Sequence, residues 1–217
     1  MNNTTARNFY DINDQAITNS TKMNIIEVSI ELFSKKGFSG ASIRDITKEV
    51  GIKESSLYKH FKNKDEILET IFINFRKELE KILPPMEYID RIVEMMSLED
   101  FLGRGIENFL KHIDDSIHVK IWRIMYIELF RHPKAQEIYR VDIMERTVDC
   151  LALVFEKMIQ QGKMAPLNPR TMAMEYQFSS ISFILEYNML KAEGKSTEQL
   201  ELQILEHVQF FSAKATI

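Results

Sequence analysis

Apolar residues in this chain recur every three or four positions, the spacing that lines one face of a helix. The first such stretch covers residues 21–36, where Ile26, Ile30 and Phe33 share a face with Ile25 and Leu32 beside them. Gly37 ends it, and Lys35 and Lys36 in the last turn complement the helix dipole. Ser42-Ile43-Arg44-Asp45 reads as a capping box that opens a second helix, with Ile43, Ile46 and Val50 as its buried stripe. Gly51 supplies a sharp turn, and a short third helix follows over about residues 54–61. Asn63 with Glu66 caps a fourth, expected over 64–83 and stopped by Pro84-Pro85.

Later helices are marked by their ends. Ser97 with Asp100 opens one that runs to about residue 113, and Ser116 opens another that ends near His132-Pro133. A long helix is expected over 134–161, closed by Gly162. Asn168-Pro169 places an N-cap before a proline at the first helical position, opening a helix to about 192 that Gly194 ends. Ser196 with Gln199 starts the last, to about 212. The pattern predicts an all-α fold of about nine or ten helices, with no strand candidate and no internal repeat. Three parts follow: a polar N-terminal tail over 1–20, a head of short helices around a tight turn over 21–64, and a larger helical body over 65–217. The tail is not basic, since Arg7 is offset by Asp11 and Asp14. It therefore reads as mobile or packed on its own protein rather than as a groove-entering arm.

Composition supports this picture. With 217 residues and 45% hydrophobic content the chain can bury a sizeable core, and Gly (7) and Pro (5) are scarce, as suits helices. No apolar run nears the roughly 18 residues of a membrane span, and a run such as 151–155 is short. No secretory pattern is legible at the N-terminus. Cys150, the only cysteine, suits a reducing cytoplasm, and the expected location is cytoplasmic and nucleoid-associated. The net charge of −4 is uneven. Residues 1–64 hold 10 of the 28 Lys and Arg and 7 of the 32 Asp and Glu, so a basic head precedes an acidic body.

A helix-turn-helix needs a tight turn, apolar residues that lock two short helices, and small, polar or basic residues on the exposed face. Gly51 meets the first need, and Ile43, Ile46, Val50, Ile52, Leu57 and Phe61 meet the second. Lys53, Ser55, Ser56, Tyr58, Lys59, His60, Lys62 and Lys64 meet the third. Tyr58 could also serve as a core aromatic, and its register favours the exposed role.

Residues 22–68 resemble the TetR family of bacterial transcriptional regulators. The resemblance is carried by Leu32-Phe33, Gly37-Phe38, Ser42-Ile43-Arg44-Asp45-Ile46, Val50-Gly51-Ile52, Ser56-Leu57-Tyr58, His60-Phe61-Lys62-Asn63-Lys64 and Leu68. It implies that Ser42 and Arg44 touch phosphates or the groove edge, and that Ser55, Ser56 and Lys59 read base edges. It also implies that Tyr58 and His60 contact phosphates, and that Lys64 is a phosphate clamp. Two residues depart from the family's pattern. Glu54 stands where a small or basic residue is usual and is read as starting the helix at its positive end. Lys53 stands where a Ser cap is common, which loosens the helix entry.

For the C-terminal body the resemblance implies an effector pocket and a four-helix dimer interface built from the last two helices. The stretch 121–130 is apolar nearly all round, so Trp122, Met125, Tyr126 and Glu128 are candidate pocket residues, with Phe109 and Phe155 from neighbouring helices. The same residues would equally fill an ordinary core. Ile181, Leu185 and Met189 on one helix, and Leu200, Ile204, Val208 and Phe211 on the other, are the candidate dimer stripes. A core role within one subunit is the alternative. Adjacent major-groove half-sites lie about 34–36 Å apart, which calls for a dimer.

The expected partners are double-stranded DNA, a second copy of the chain and a small apolar or amphipathic effector, with no membrane and no cofactor. By resemblance, the effector would shift the fourth helix and so change the spacing of the recognition helices. Control by a protein partner in place of a small molecule is the alternative. An enzyme is not expected. Cys150 lies in an apolar helical stretch, His112 and His118 are six apart, and Glu128 with His132 supplies only two ligands.

Overall fold

The structure, a computed structural model, describes residues 8–113 and 116–216, and the side chain of His112 is not described. Arg7 and the rest of the first seven residues of the tail lie outside the described residues. The described residues are helical throughout, apart from loops and one isolated bridge between Tyr10 and Ala16. They form two compact units: Met1–Glu78 with Lys120–Glu137, and Leu79–Val119 with Ile138–Ile217.

In the first unit α1 (Ser20–Gly40) starts at Asn19, whose side chain accepts the Lys22 N–H. Its helical course breaks at Gly37, where φ is 72° and ψ is 166°, a left-handed φ that favours glycine. α2 (Ile43–Val50) and α3 (Glu54–Leu57) follow, and α4 (Lys64–Leu79) carries Ile67, Leu68, Ile71, Phe72 and Phe75 into the core. The later part of α7 (Ser116–Glu128) and α8 (Pro133–Glu137) complete the unit. The Trp122 ring meets Phe75 edge-on at 5.1 Å. The compact unit around the helix-turn-helix thus includes α4 to Glu78 and residues 120–137, well past position 64.

Residues 9–17 of the tail pack on their own protein. Phe9 and Ile17 are buried. Asn74 of α4 imitates a strand neighbour: its amide oxygen accepts the Tyr10 N–H at 2.8 Å and its amide nitrogen donates to the Tyr10 carbonyl at 2.8 Å. The Lys77 ammonium lies 4.4 Å from the Tyr10 ring and 2.6 Å from Asp14.

The second unit is built from α5 (Ile89–Met95), α6 (Leu98–Ile113), α9 (Arg146–Gln160), α10 (Pro169–Ala192) and α11 (Glu198–Ala215). Its core gathers Leu102, Val154, Phe155, Met158, Met164, Ala173, Tyr176 and Val208. The caps at Ser97–Asp100 and Asn168–Thr171 form as the sequence predicts. Four details differ. α4 stops at Leu79, and Asn108 donates to the carbonyls of Lys81 and Ile82 in the segment expected to be its last turn. A 3-10 turn (Met86–Tyr88) and α5 occupy 86–95, where no helix is expected, and Lys163 Nζ caps α5 by donating to the carbonyls of Val93, Glu94 and Met96. The long helix expected over 134–161 passes through a π-type segment, Ile138–Glu145, and buried Gln177 of α10 donates to its Ile143 carbonyl. The last helix has Thr197 at its N-cap position, with no side-chain cap bond, and runs to Ala215.

Candidate nucleic-acid interface

The helix-turn-helix is held by local chemistry at every joint. The Ser42 hydroxyl accepts the Asp45 N–H at 3.1 Å, and the Asp45 carboxylate accepts the Ser42 N–H at 2.9 Å and its hydroxyl at 2.7 Å. These donors, the Ser42 N–H first, hold the Asp45 carboxyl below the usual carboxylate range. Gly51 ends α2 with φ at 78° and ψ at 30°, and its N–H donates to the Thr47 carbonyl. Ile46, Leu57 and Phe61 are fully buried and lock α2 against α3. Ile43, Val50 and Ile52, expected in the same lock, are only partly buried. α3 is a single turn followed by the bend at 58–60, and its N-cap, Lys53, makes no side-chain cap bond.

This frame leaves one face to solvent. Arg44, Lys48, Lys53, Glu54, Ser55, Tyr58 and Lys59 are exposed, and Ser56 and His60 are half-buried. Tyr58 is 52% exposed, so the core alternative for its ring fails, while Phe61 is 1% exposed and is core. A hollow of about 570 Å³ opens on this face, lined by Arg44, Thr47, Lys48, Ile52, Lys53, Glu54 and Ser55. Three cations against one carboxylate make it attractive to phosphate. Glu54 stands at the first position of α3, where the helix dipole favours a carboxylate. Sequence reasoning misses Lys48. Its signal is its place four residues after Arg44 on α2, which puts both on one face.

Two residues expected to touch DNA point elsewhere. Lys64 Nζ donates to the carbonyls of Phe38 and Ala41, each at 2.7 Å, and lies 4.3 Å from the Phe38 ring. It ties down the end of α1 ahead of α2, so its ammonium serves the protein's own backbone. Ser42 spends its hydroxyl on Asp45. Lys64→Met should therefore destabilise the chain by about 2 kcal/mol, because two carbonyls lose a charged donor. Thermal denaturation checks this. The salt dependence of DNA binding should stay as in the unaltered chain, whereas removal of a phosphate-binding cation would make it shallower.

The candidate pocket residues divide between the units. Trp122, Met125, Tyr126 and Glu128 belong to the first unit, and Phe109 and Phe155 to the second. Trp122 packs on Phe75 and Tyr126, Met125 is fully buried, and the Phe155 ring meets Phe211 at 5.9 Å in a tilted arrangement. Glu128 is 2% exposed, and its carboxylate accepts the Phe38 N–H at 2.9 Å. It is bound to backbone, and His132 Nδ1 accepts the Lys134 N–H. Cys150 is buried, which pushes its thiol pKa up.

Among the candidate dimer residues, Leu200, Ile204 and Val208 are 2–4% exposed and serve the chain's own core. Phe211 meets the Tyr176 ring at 5.1 Å and is partly buried against the core, and Ile181 is buried. Leu185 and Met189 are exposed, together with Met174 and Phe178 on α10 and Leu202, Leu205 and Phe210 on α11. Helical spacing predicts α11 itself correctly, but the stripe it assigns to a partner is the one the chain buries.

The family model described as "Bacterial regulatory proteins, tetR family" matches residues 25–71. Over this stretch the chain is similar to the TetR family. It is similar to the biofilm operon icaADBC HTH-type negative transcriptional regulator IcaR of Staphylococcus aureus, with 50% identity over 114 residues, 52% of this chain and 55% of the relative. It is also similar to IcaR of Staphylococcus epidermidis, at 32% identity over 120 residues, 45% of this chain and 65% of that one. The match thus spans less than two thirds of either relative. A TetR-family regulator from Mesorhizobium loti superposes with a TM-score of 0.63 at 20% identity, over 91% of this chain and 97% of that one. A transcriptional regulator from Saccharomonospora viridis in complex with choline gives 0.59 at 18%, over 88% and 94%. These two likenesses establish the fold. No helix among the described residues is long and apolar enough to cross a membrane.

Proposed function

We propose that the chain is a negative transcriptional regulator that binds a pseudopalindromic operator as a homodimer. One observation carries this reading: a locked helix-turn-helix whose exposed face gathers Arg44, Lys48, Lys53 and Lys59 beside Ser55 and Tyr58. Cations anchor the phosphates and set register, and the small polar groups of α3 approach base edges. Repression rather than activation is supported by the 50% identity to a regulator named as negative. As a binder of chromosomal DNA, the chain would act in the cytoplasm, at the nucleoid.

The dimer is supported by apolar side chains that a single chain leaves bare. Met174, Phe178, Leu185 and Met189 recur along α10 at helical spacing, and Leu202, Leu205 and Phe210 are exposed on α11. Exposed apolar side chains repeated along one helix face mark an interface. A small apolar or amphipathic effector acting through the second unit is the mode of control. Its support is the shared fold with a regulator that holds choline. Such a ligand changes operator affinity only by binding the DNA-incompetent state more tightly.

The test is selection of genomic fragments on the purified chain, followed by transcription measurements in a strain lacking it. The enriched fragments should carry inverted half-sites about 34–36 Å apart, or a multiple of that spacing, and the adjacent genes should rise in the deletion strain. Enrichment of no fragment over bulk DNA refutes the reading, and a fall in adjacent transcription refutes repression.

A further inference from the structure

We infer that Glu128 is a positioning residue for DNA recognition: its carboxylate, 90 residues away in sequence, holds the Phe38 N–H and so fixes the kinked end of α1 that aims α2 and α3. This rests on the DNA-binding reading above.

Glu128 closes α7 and is buried, at 2% exposure. A buried carboxylate is costly unless hydrogen bonds satisfy it, and a leucine there would pack at lower cost. The structure spends this carboxylate on one backbone N–H just past the break in α1 at Gly37, at 2.9 Å. The approach is close. A Cβ on Gly37 would lie 3.4 Å from Glu128 Oε1 and 3.4 Å from Ile127 Cγ2, and Gly37 has the left-handed φ that delivers the next N–H to the carboxylate.

The same residue is gripped from its other side. The Lys64 ammonium takes the Phe38 and Ala41 carbonyls from α4, at 2.7 Å each. The Phe38 ring is wedged edge-on against Phe33 at 5.4 Å and His132 at 6.3 Å. A carboxylate and an ammonium on separate helices thus hold the N–H and the C=O of one residue. Only 39–42 separate it from the first residue of α2, and Ser42 within them is already committed to the cap. Little slack remains, so the direction of α2, and of α3 locked to it, follows from where Phe38 is held. Charge-assisted bonds to backbone are stiff and directional, which suits a joint that must present Arg44 and Ser55 in register with a second head.

The test compares Glu128→Leu with Glu128→Gln. Leucine keeps the volume and removes the acceptor, while glutamine keeps an acceptor oxygen and removes the charge. The leucine variant should bind the selected operator about tenfold or more weakly. Its affinity for random duplex should be unchanged, because phosphate attraction does not need the aim. The glutamine variant should stay within about threefold of the unaltered chain. Amide exchange at Phe38 should quicken in the leucine variant and stay slow in the glutamine variant. Operator binding by the leucine variant equal to that of the unaltered chain overturns the inference, and so does equal loss on operator and random duplex. Should the leucine variant not fold, Glu128→Asp decides. Its carboxylate is one methylene short of Phe38, and unchanged operator affinity there also overturns the inference. If the unaltered chain prefers no fragment, the DNA-binding reading falls and takes this inference with it. If it does prefer one and the variants match it, only this inference falls.

Discussion

Replacing Arg44, Lys48 and Lys53 together by alanine should weaken operator binding about a thousandfold at physiological salt. All three line the hollow beside α3, and all three are exposed. None contributes a side chain to the capping box or to the lock formed by Ile46, Leu57 and Phe61. Their removal should therefore leave stability within about 0.5 kcal/mol per site. Each phosphate deprived of its cation also lowers the slope of log affinity against log salt by about 0.9. A dimer lacks every such cation twice, so the slope should change far more than any fold-related readout. Filter binding across a salt series, with thermal denaturation alongside, checks both halves. A variant that binds as tightly as the unaltered chain would move the DNA face away from this hollow.

The second large effect concerns the exposed apolar stripes. Phe178 is 53% and Phe210 is 64% exposed in the single chain. Phe178→Glu combined with Phe210→Glu should leave the subunit folded, because neither ring fills its core. In a dimer the same carboxylates would lie in an apolar interface, desolvated and unpaired. Sedimentation should then report monomers. Operator affinity should fall by about 10²–10⁴-fold, because the second half-site is no longer held at high effective concentration. Val208→Glu offers the contrast. Val208 is 3% exposed within the second core, so a charge there should unfold that unit rather than split a dimer. If the Phe178 and Phe210 pair stays dimeric, the interface lies elsewhere.

The sequence was most legible where chemistry is local. Ser42 with Asp45, Asn168 before Pro169, and Gly51 between two helices act within four residues, and each forms as read. It was least legible where one side chain serves a distant backbone. Lys64 reads as a surface cation because nothing nearby in sequence reveals the carbonyls of Phe38 and Ala41 that it binds. Glu128 reads as a polar group in an apolar helix, and its partner lies 90 residues away. Burial faces failed for a related reason. α11 is apolar on two sides, with Leu200, Ile204 and Val208 on one and Leu202 and Leu205 on the other. Periodicity finds both sides without saying which one the chain keeps for itself. The short helix at 89–95 escaped because Lys163, from far along the chain, supplies its C-terminal cap.

The most direct measurement is a titration of the unaltered chain on its selected fragment and on a scrambled duplex of equal length, repeated over a range of salt. Two protomers should bind per fragment, with a preference over the scrambled duplex of about a thousandfold or more and a steep loss of affinity as salt rises. Equal affinity for both duplexes, or binding indifferent to salt, would contradict recognition of DNA through the face of Arg44, Lys48, Lys53 and Lys59.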